Sequence, residues 1–275
     1  MFDKILVPLD GSELAERSLA LANLLVMERQ ATIILLRVPV LKGYQLLEEE
    51  AGQRWDRQEA HAYLDEIMAR PRHPDLLVDK RVIEGDEAAV IVDTAVAENV
   101  DLLIMSTHGR SGFGRWLLGS VAERVLRTAP CPMLVVRYAD SIRRLLIPLD
   151  GSPLAEKAIL PGLETARRLG AQVTLLRVAG ETGDGYVKPQ TAYAYLQAVA
   201  EKIGGDTAVD LIVPTGPVAP AIIEYVNTAG IDLIAMTTHG FTGSGRWVYG
   251  QITEKVVRGA DASLLVIRPS AEELK

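Results

Sequence analysis

Residues 105–120 read MSTHGRSGFGRWLLGS, and residues 236–251 read MTTHGFTGSGRWVYGQ. Each stretch leaves an apolar run, Asp101–Met105 or Asp232–Met236, and crosses a glycine-rich loop. Each then closes on a glycine at the head of a helical pattern. Glycines between a strand and a helix let backbone N–H groups approach an anion at the helix N-terminus, where the dipole favours negative charge. Turns also need glycine, so one such loop is weak evidence. Its repetition is what gives it weight. Both copies keep Thr-His-Gly, the Gly-x-Gly-Arg-Trp run and the closing glycine, but the first ends in Ser120 and the second in Gln251.

The repeat extends outward from these loops. Lys4–Val38 aligns without gaps on Arg144–Val178, and Val100–Arg137 aligns on Ile231–Arg268. Each copy has the length of an ordinary domain, so the chain reads as two duplicated domains, residues 1–139 and 140–275, joined near Tyr138–Ser141. Within a copy, short apolar runs alternate with longer helical patterns. In the first copy the strands are Ile5–Leu9, Thr32–Val38, about Val78–Ile83, Asp101–Met105 and Met133–Arg137. Helices run from Ser12 to about Arg29, over about Glu49–Arg70 and Glu87–Asn99, and over Ser120–Arg127. The second copy repeats the order with strands Leu145–Leu149, Val173–Val178, Ala208–Val213, Asp232–Met236 and Ser263–Ile267. Its helices run to Leu169 and then over about Gln190–Ile203, Val218–Thr228 and Gln251–Arg258. Strands that read as continuous apolar runs are buried on both faces. Five of them alternating with helices predict an α/β fold: two tandem doubly wound domains, each a five-stranded parallel sheet joined by right-handed crossovers. Pro161-Gly162, inside the second copy's first helix, predicts a kink or an early break there.

Composition narrows the classes. The chain has 275 residues, 48% of them hydrophobic and 24% charged, as a folded globular protein does. A net charge of −7 argues against nucleic acid as a partner, since phosphate neutralisation needs clustered Lys and Arg. It leaves open a nucleotide held by backbone N–H groups. Cys131 is the only cysteine, which excludes an internal disulfide and a cysteine-built zinc site. Its Ala-Pro-Cys-Pro setting predicts a small buried residue ahead of a strand. No apolar run reaches the roughly 18 residues of a membrane span. The first strand begins at once, leaving no room for a signal peptide. A cytoplasmic location is the expectation.

In doubly wound sheets, ligands sit beyond the carboxyl ends of the strands where strand order reverses. If the first and fourth strands flank that reversal, Asp10 faces Gly109 across one crevice, and Asp150 faces Gly240 across the other. Asp10 can accept from ribose hydroxyls or help hold a cation on a phosphate, or it can close its own Asp-Gly-Ser turn. Opposite a glycine-rich loop, the site is the favoured role. Ser120 can offer its hydroxyl and N–H to a phosphate and still act as an N-cap. His108 and His239 have no nucleophile or carboxylate at fixed spacing and read as loop-shaping residues. Arg115 and Arg246 either screen phosphate charge or are solvated. Trp116 and Trp247 read as core anchors. His61 and His73 show no ligand spacing and no HExxH or Cys/His cluster exists, so neither a metal site nor a catalytic residue is assigned.

These residues resemble the universal stress protein family, and the resemblance covers nearly the whole chain. Its nucleotide loop runs glycine, two residues, glycine, nine residues, then glycine and serine or threonine. Here the pattern falls on Ser106, Gly109, Gly119 and Ser120, with Ser106 departing at the first glycine. In the second copy it falls on Thr237, Gly240, Gly250 and Gln251, departing at both ends. The resemblance implies an adenine-nucleotide alpha-hydrolase-like fold and ATP as ligand, with any magnesium held by the phosphates. It places Pro8, Asp10 and Val38 at the adenosine end. Ser106, Gly109, Arg110, Ser111, Gly112, Gly119, Ser120 and Val121 would surround ribose and phosphates. Pro148, Asp150, Val178, Thr237, Gly240 and Gly250 are the second-copy counterparts, with the first copy the better formed site. It further implies that the last strands pair between the domains in a pseudo-twofold arrangement, and that the chain can form a homodimer. Three functions compete: an ATP-binding stress or signalling module, a slow ATPase or nucleotidyl-transfer enzyme, and a nucleotide-free dimerisation adaptor. The enzyme lacks a convincing base and the Ser-Gly-Gly-x-Asp-Ser signature of adenylating relatives, so the module leads.

Overall fold

The computed structural model describes residues 2–26, 31–39, 49–70, 76–106, 118–137, 141–182, 185–204, 208–237 and 250–268, with backbone only at 49–56 and 182. The chain divides into two compact units, Met1–Val136 and Arg137–Lys275. In the first, strands β1 (Lys4–Pro8), β2 (Thr32–Arg37), β3 (Leu77–Val82), β4 (Leu102–Ser106) and β5 (Met133–Val136) alternate with helices α1 (Glu13–Val26), α2 (Glu49–Ala69), α3 (Glu87–Ala97) and α4 (Ser120–Thr128). All its pairings are parallel, in the spatial order β5-β4-β1-β2-β3. The central strands are apolar on both faces because helices cover both. Ile5, Leu6, Val7, Leu102, Leu103 and Ile104 are all fully buried.

The second unit contains β6 (Arg144–Pro148), α5 (Pro153–Glu156), α6 (Ile159–Leu169), β7 (Gln172–Leu176), β8 (Gly180–Thr182), β9 (Gly185–Val187), α7 (Pro189–Ile203), β10 (Val209–Ile212), α8 (Val218–Ala229), β11 (Leu233–Thr237), α9 (Gln251–Gly259) and β12 (Ser263–Ile267). Its parallel sheet has the same order, β12-β11-β6-β7-β10. The antiparallel hairpin β8–β9 was not anticipated, because three-residue strands rich in glycine carry no readable period. Cys131 is buried ahead of β5, as its Pro-Cys-Pro setting predicts.

The predicted break at Pro161-Gly162 falls earlier. The helix divides at Lys157-Ala158, and Pro161 lies in the first turn of α6. There its missing N–H would have had no intrahelical acceptor, so the proline is accommodated without a kink in mid-helix. Gly162 is fixed by packing. A Cβ at this position would lie 2.8 Å from Ile147 Cδ1 and 3.2 Å from Ala235 Cβ, so any larger residue must shift Ile147 or move α6 away from β6 and β11.

At the amino end of each sheet, the central strands are tied together by a carboxylate. Asp101 Oδ2 accepts from the backbone N–H of Asp3 (3.0 Å) and Lys4 (2.9 Å). In the second unit, Asp232 Oδ2 accepts from Arg143 (2.8 Å) and Arg144 (2.9 Å). Each pair of charge-assisted bonds joins β4 to β1, or β11 to β6, across the centre of the sheet. We expect Asp232→Ala to lower stability by about 1–2 kcal/mol, read as a shift in urea midpoint at unchanged m-value.

Candidate functional site

The same strands part company at the carboxyl end. β1 pairs with β4 only at Ile5–Leu102 and Leu6–Leu103. Its ladder with β2 runs on to Pro8, and the Leu9 N–H still donates to the Leu36 carbonyl at 2.8 Å. β4 meanwhile stays with β5 as far as Ser106. Each central strand thus follows its outer neighbour, and a crevice opens at the reversal of strand order. The second unit repeats this. β6 and β11 pair only at Leu145–Leu233 and Leu146–Ile234, while β6 follows β7 to Pro148 and β11 follows β12 to Thr237. The sequence-based condition that the first and fourth strands flank the switch point therefore holds in both units.

In the second unit, described residues line a cavity of about 340 Å³ at this point. Pro148 and Asp150 border it from the end of β6, Val178 from the end of β7, and Thr237 from the end of β11. These are four of the six second-copy residues singled out from the sequence. Gly250 precedes α9, and Gly240 lies outside the described residues. So do Gly109, Arg110, Ser111 and Gly112, along with His108, His239, Arg115, Arg246, Trp116 and Trp247. In the first unit Pro8 ends β1, Val38 is buried just past β2, and buried Ser106 ends β4. Gly119, Ser120 and Val121 open α4.

The turn after the first strand shows the second of the roles read for Asp10, the closing of its own Asp-Gly-Ser turn. Asp10 Oδ1 accepts from the Ser12 N–H (2.9 Å) and hydroxyl (2.6 Å), and Ser12 Oγ in turn accepts from the Ala15 N–H at 3.2 Å. Asp150 Oδ1 accepts from the Ser152 N–H at 2.7 Å, and Ser152 Oγ caps α5 through Ala155 at 3.1 Å. The carboxylate thus closes its own turn and, by doing so, is held at the rim of the crevice. At the other wall, α4 and α9 begin behind Gly119 and Gly250, neither of which supplies a side-chain cap. Among the described residues no side chain caps α4 or α9, as is also true of α6, α7 and α8, whereas α3 and α5 are closed by Asp86 and Ser152. Thr253 reinforces the wall by donating its hydroxyl to the Thr237 carbonyl at 3.3 Å.

Sequence reasoning missed much of the lining. Leu154, Ala155, Val218, Ile222, Met236 and Ile252 supply an apolar surface of the kind that accepts a flat heterocycle. They come from several separate elements and share no motif. Arg177 also lines the cavity. Its one sequence signal was identity between the copies, as Arg37 and Arg177.

The model of the universal stress protein family matches the chain twice, over residues 1–137 and 141–268. A universal stress protein of Thermus aquaticus is 33% identical over 142 residues, covering 50% of this chain and 100% of that protein. One from Methanothermobacter thermautotrophicus is 35% identical over 148 residues, covering 50% of this chain and 97% of its own. The crystal structure of a universal stress protein from Archaeoglobus fulgidus superposes with a TM-score of 0.76 at 21% identity. That similarity covers 98% of this chain and 100% of the other, and it concerns the fold.

Proposed function

The chain belongs to the universal stress protein family, as two tandem copies of its domain, and on that premise we propose that it is an ATP-binding signalling module of the stress response. The observation that carries the proposal is the parting of β6 from β11 over a cavity lined by Asp150, Val178 and Thr237. The residues fit the ligand. Apolar side chains suit the base, and Asp150 is placed to accept from ribose hydroxyls. The N–H groups at the start of α9, which begins behind a glycine, suit phosphate. Magnesium, where present, travels on the phosphate oxygens.

The first unit is the one we assign the tighter site for a triphosphate. Its α4 begins with Ser120, which adds a hydroxyl donor where α9 offers Gln251. The protein's work in this proposal is to bind, orient and respond. ATP favours one arrangement of the loops following β4 and β11 to the extent of its differential affinity for that arrangement, and partners read the difference.

Equilibrium dialysis with labelled ATP tests this. Wild-type protein is expected to bind, and Gly109→Val combined with Gly240→Val is expected to reduce affinity at least tenfold by crowding the backbone approach to the phosphates. No binding by the wild type, or undiminished binding by the double variant, overturns the proposal.

A further inference from the structure

Around each acidic turn the structure closes a ring of side-chain contacts that neither the strand pairing nor the loop motif accounts for. In the second unit the Arg177 guanidinium stacks on the ring of Tyr195 in α7, 4.4 Å from its centroid. The Tyr195 hydroxyl donates to Glu156 Oε1 at 2.9 Å, and Glu156 ends α5, the helix that the Asp150 turn opens. Gly151 of the acidic turn packs against the same guanidinium. A Cβ there would lie 2.6 Å from Arg177 Nη2, and the residue's φ of 95° itself disfavours a side chain. The ring therefore runs from the turn, through α5, across to α7, back to the end of β7 and onto the turn again.

The first unit builds the same ring. Arg37 stands 5.5 Å from the Tyr63 centroid, Tyr63 donates to Glu16 Oε1 at 3.2 Å, and Arg37 Nη1 donates to the Leu9 carbonyl at 3.0 Å. Burial, followed by the carboxylate of Glu16 or Glu156, raises both phenols above their ordinary range, so each remains a donor at neutral pH.

We propose that Arg177, and Arg37 in the first unit, are positioning residues of the nucleotide crevice. Each is locked by its tyrosine and holds the carboxylate-bearing turn against the end of β7 or β2. That strand end is where Val178 or Val38 meets the ligand. The inference rests on the nucleotide-binding proposal for its consequence, though not for its geometry. A guanidinium suits the task because it is planar, stacks on an aromatic face and keeps its N–H fork free for backbone carbonyls, none of which an ammonium reproduces. Holding the turn before the ligand arrives removes an ordering cost from binding.

Two measurements on the full chain test it. Hydrogen exchange on the nucleotide-free protein follows the amides of Leu149–Ser152. Arg177→Ala is expected to speed exchange there at least tenfold, while Asp232→Asn, which loosens the opposite end of the same strands, leaves it unchanged. Equal exchange in Arg177→Ala and wild type overturns the proposal whether or not nucleotide binds. Titration calorimetry with ATP and with AMP then follows the second-unit site in a Gly109→Val background. Arg177→Ala and Tyr195→Ala are each expected to lose about tenfold in affinity, and the double variant no more than either, because the arginine acts through its stack. Arg177→Lys is expected to fail to restore binding, and Tyr195→Phe to keep it within about threefold. Additive losses, or full rescue by lysine, overturn the mechanism. Absence of wild-type binding overturns the nucleotide proposal and leaves the exchange result to judge the ring.

Discussion

Gly162→Val is expected to be among the most damaging single substitutions in the second unit, costing about 3 kcal/mol or more. The first added carbon already lies within 2.8 Å of Ile147 Cδ1 and 3.2 Å of Ala235 Cβ, and the two further methyls have no space to enter. Overpacking of this kind typically costs about 1–3 kcal/mol for a few methylenes and more where backbone must move. Here α6 would have to lift from β6 and β11, the two strands that frame the crevice. Gly162→Ala separates the contributions. Its gain in helix propensity, about 1 kcal/mol, offsets part of the clash, so a milder loss is expected. Combining it with Ile147→Val removes the atom struck first and should restore most of that loss. The corresponding position in the first unit is Ala22, fully buried, so α1 already accommodates a methyl there. Urea denaturation of the three variants is the measurement. A Gly162→Val protein as stable as wild type would show that α6 is not held at this distance.

Glu164→Ala is expected to cost about 2–3 kcal/mol at pH 7, through the loss of charge-assisted hydrogen bonds to a buried guanidinium and not through a cavity. Arg168 Nε donates to Glu164 Oε1 at 2.7 Å, with Arg167 on the other oxygen at 3.3 Å, and the Arg168 side chain is only 2% exposed. Removing the carboxylate takes a close hydrogen-bonded charge from a buried guanidinium, the expensive way to break such a pair. Replacing both partners, Glu164→Leu with Arg168→Leu, should recover most of the loss. The pair also predicts a pH dependence. The hydrogen bond from Arg167, then that from Arg168, hold the Glu164 carboxyl down at about 2 against an ordinary 4.5, although burial opposes them. A depressed carboxylate contributes stability that is fully present above its unfolded value and disappears as pH falls through its folded one. Its contribution should therefore vanish between pH 4.5 and 2. Urea midpoints of wild type and Glu164→Ala should converge over that interval. Curves that stay parallel would place the stabilisation elsewhere.

The parallel sheets were legible because their strands are apolar on both faces and recur at domain spacing. Ser263–Ile267 emerges with the bounds its pattern predicts, and the other main-sheet strands shift by a residue or two at their ends. Pro161 was read correctly as a disturbance and wrongly as its position. A proline's effect depends on where the helix begins, and α6 begins at Ile159, which puts Pro161 in its first turn. The glycine-rich loops suggest an anion site through a local rule, the need for close backbone approach, and the turns of Asp10 and Asp150 were legible because turn chemistry is equally local.

Along the chain alone, then, one can establish the duplication, the α/β class, the acidic turn and the loop glycines, because each is encoded by neighbours within a few residues. The crevice itself depends on where β1 stops pairing with β4, and β6 with β11, which is a property of the assembled sheet. The Arg–Tyr–Glu rings depend on helices α2 and α7, which share a short run, Ala62-Tyr63-Leu64 and Ala194-Tyr195-Leu196, that brings Tyr63 and Tyr195 to matching places. The shared run marks the tyrosines, but which arginine and which carboxylate each one meets is decided by packing between residues far apart in the chain.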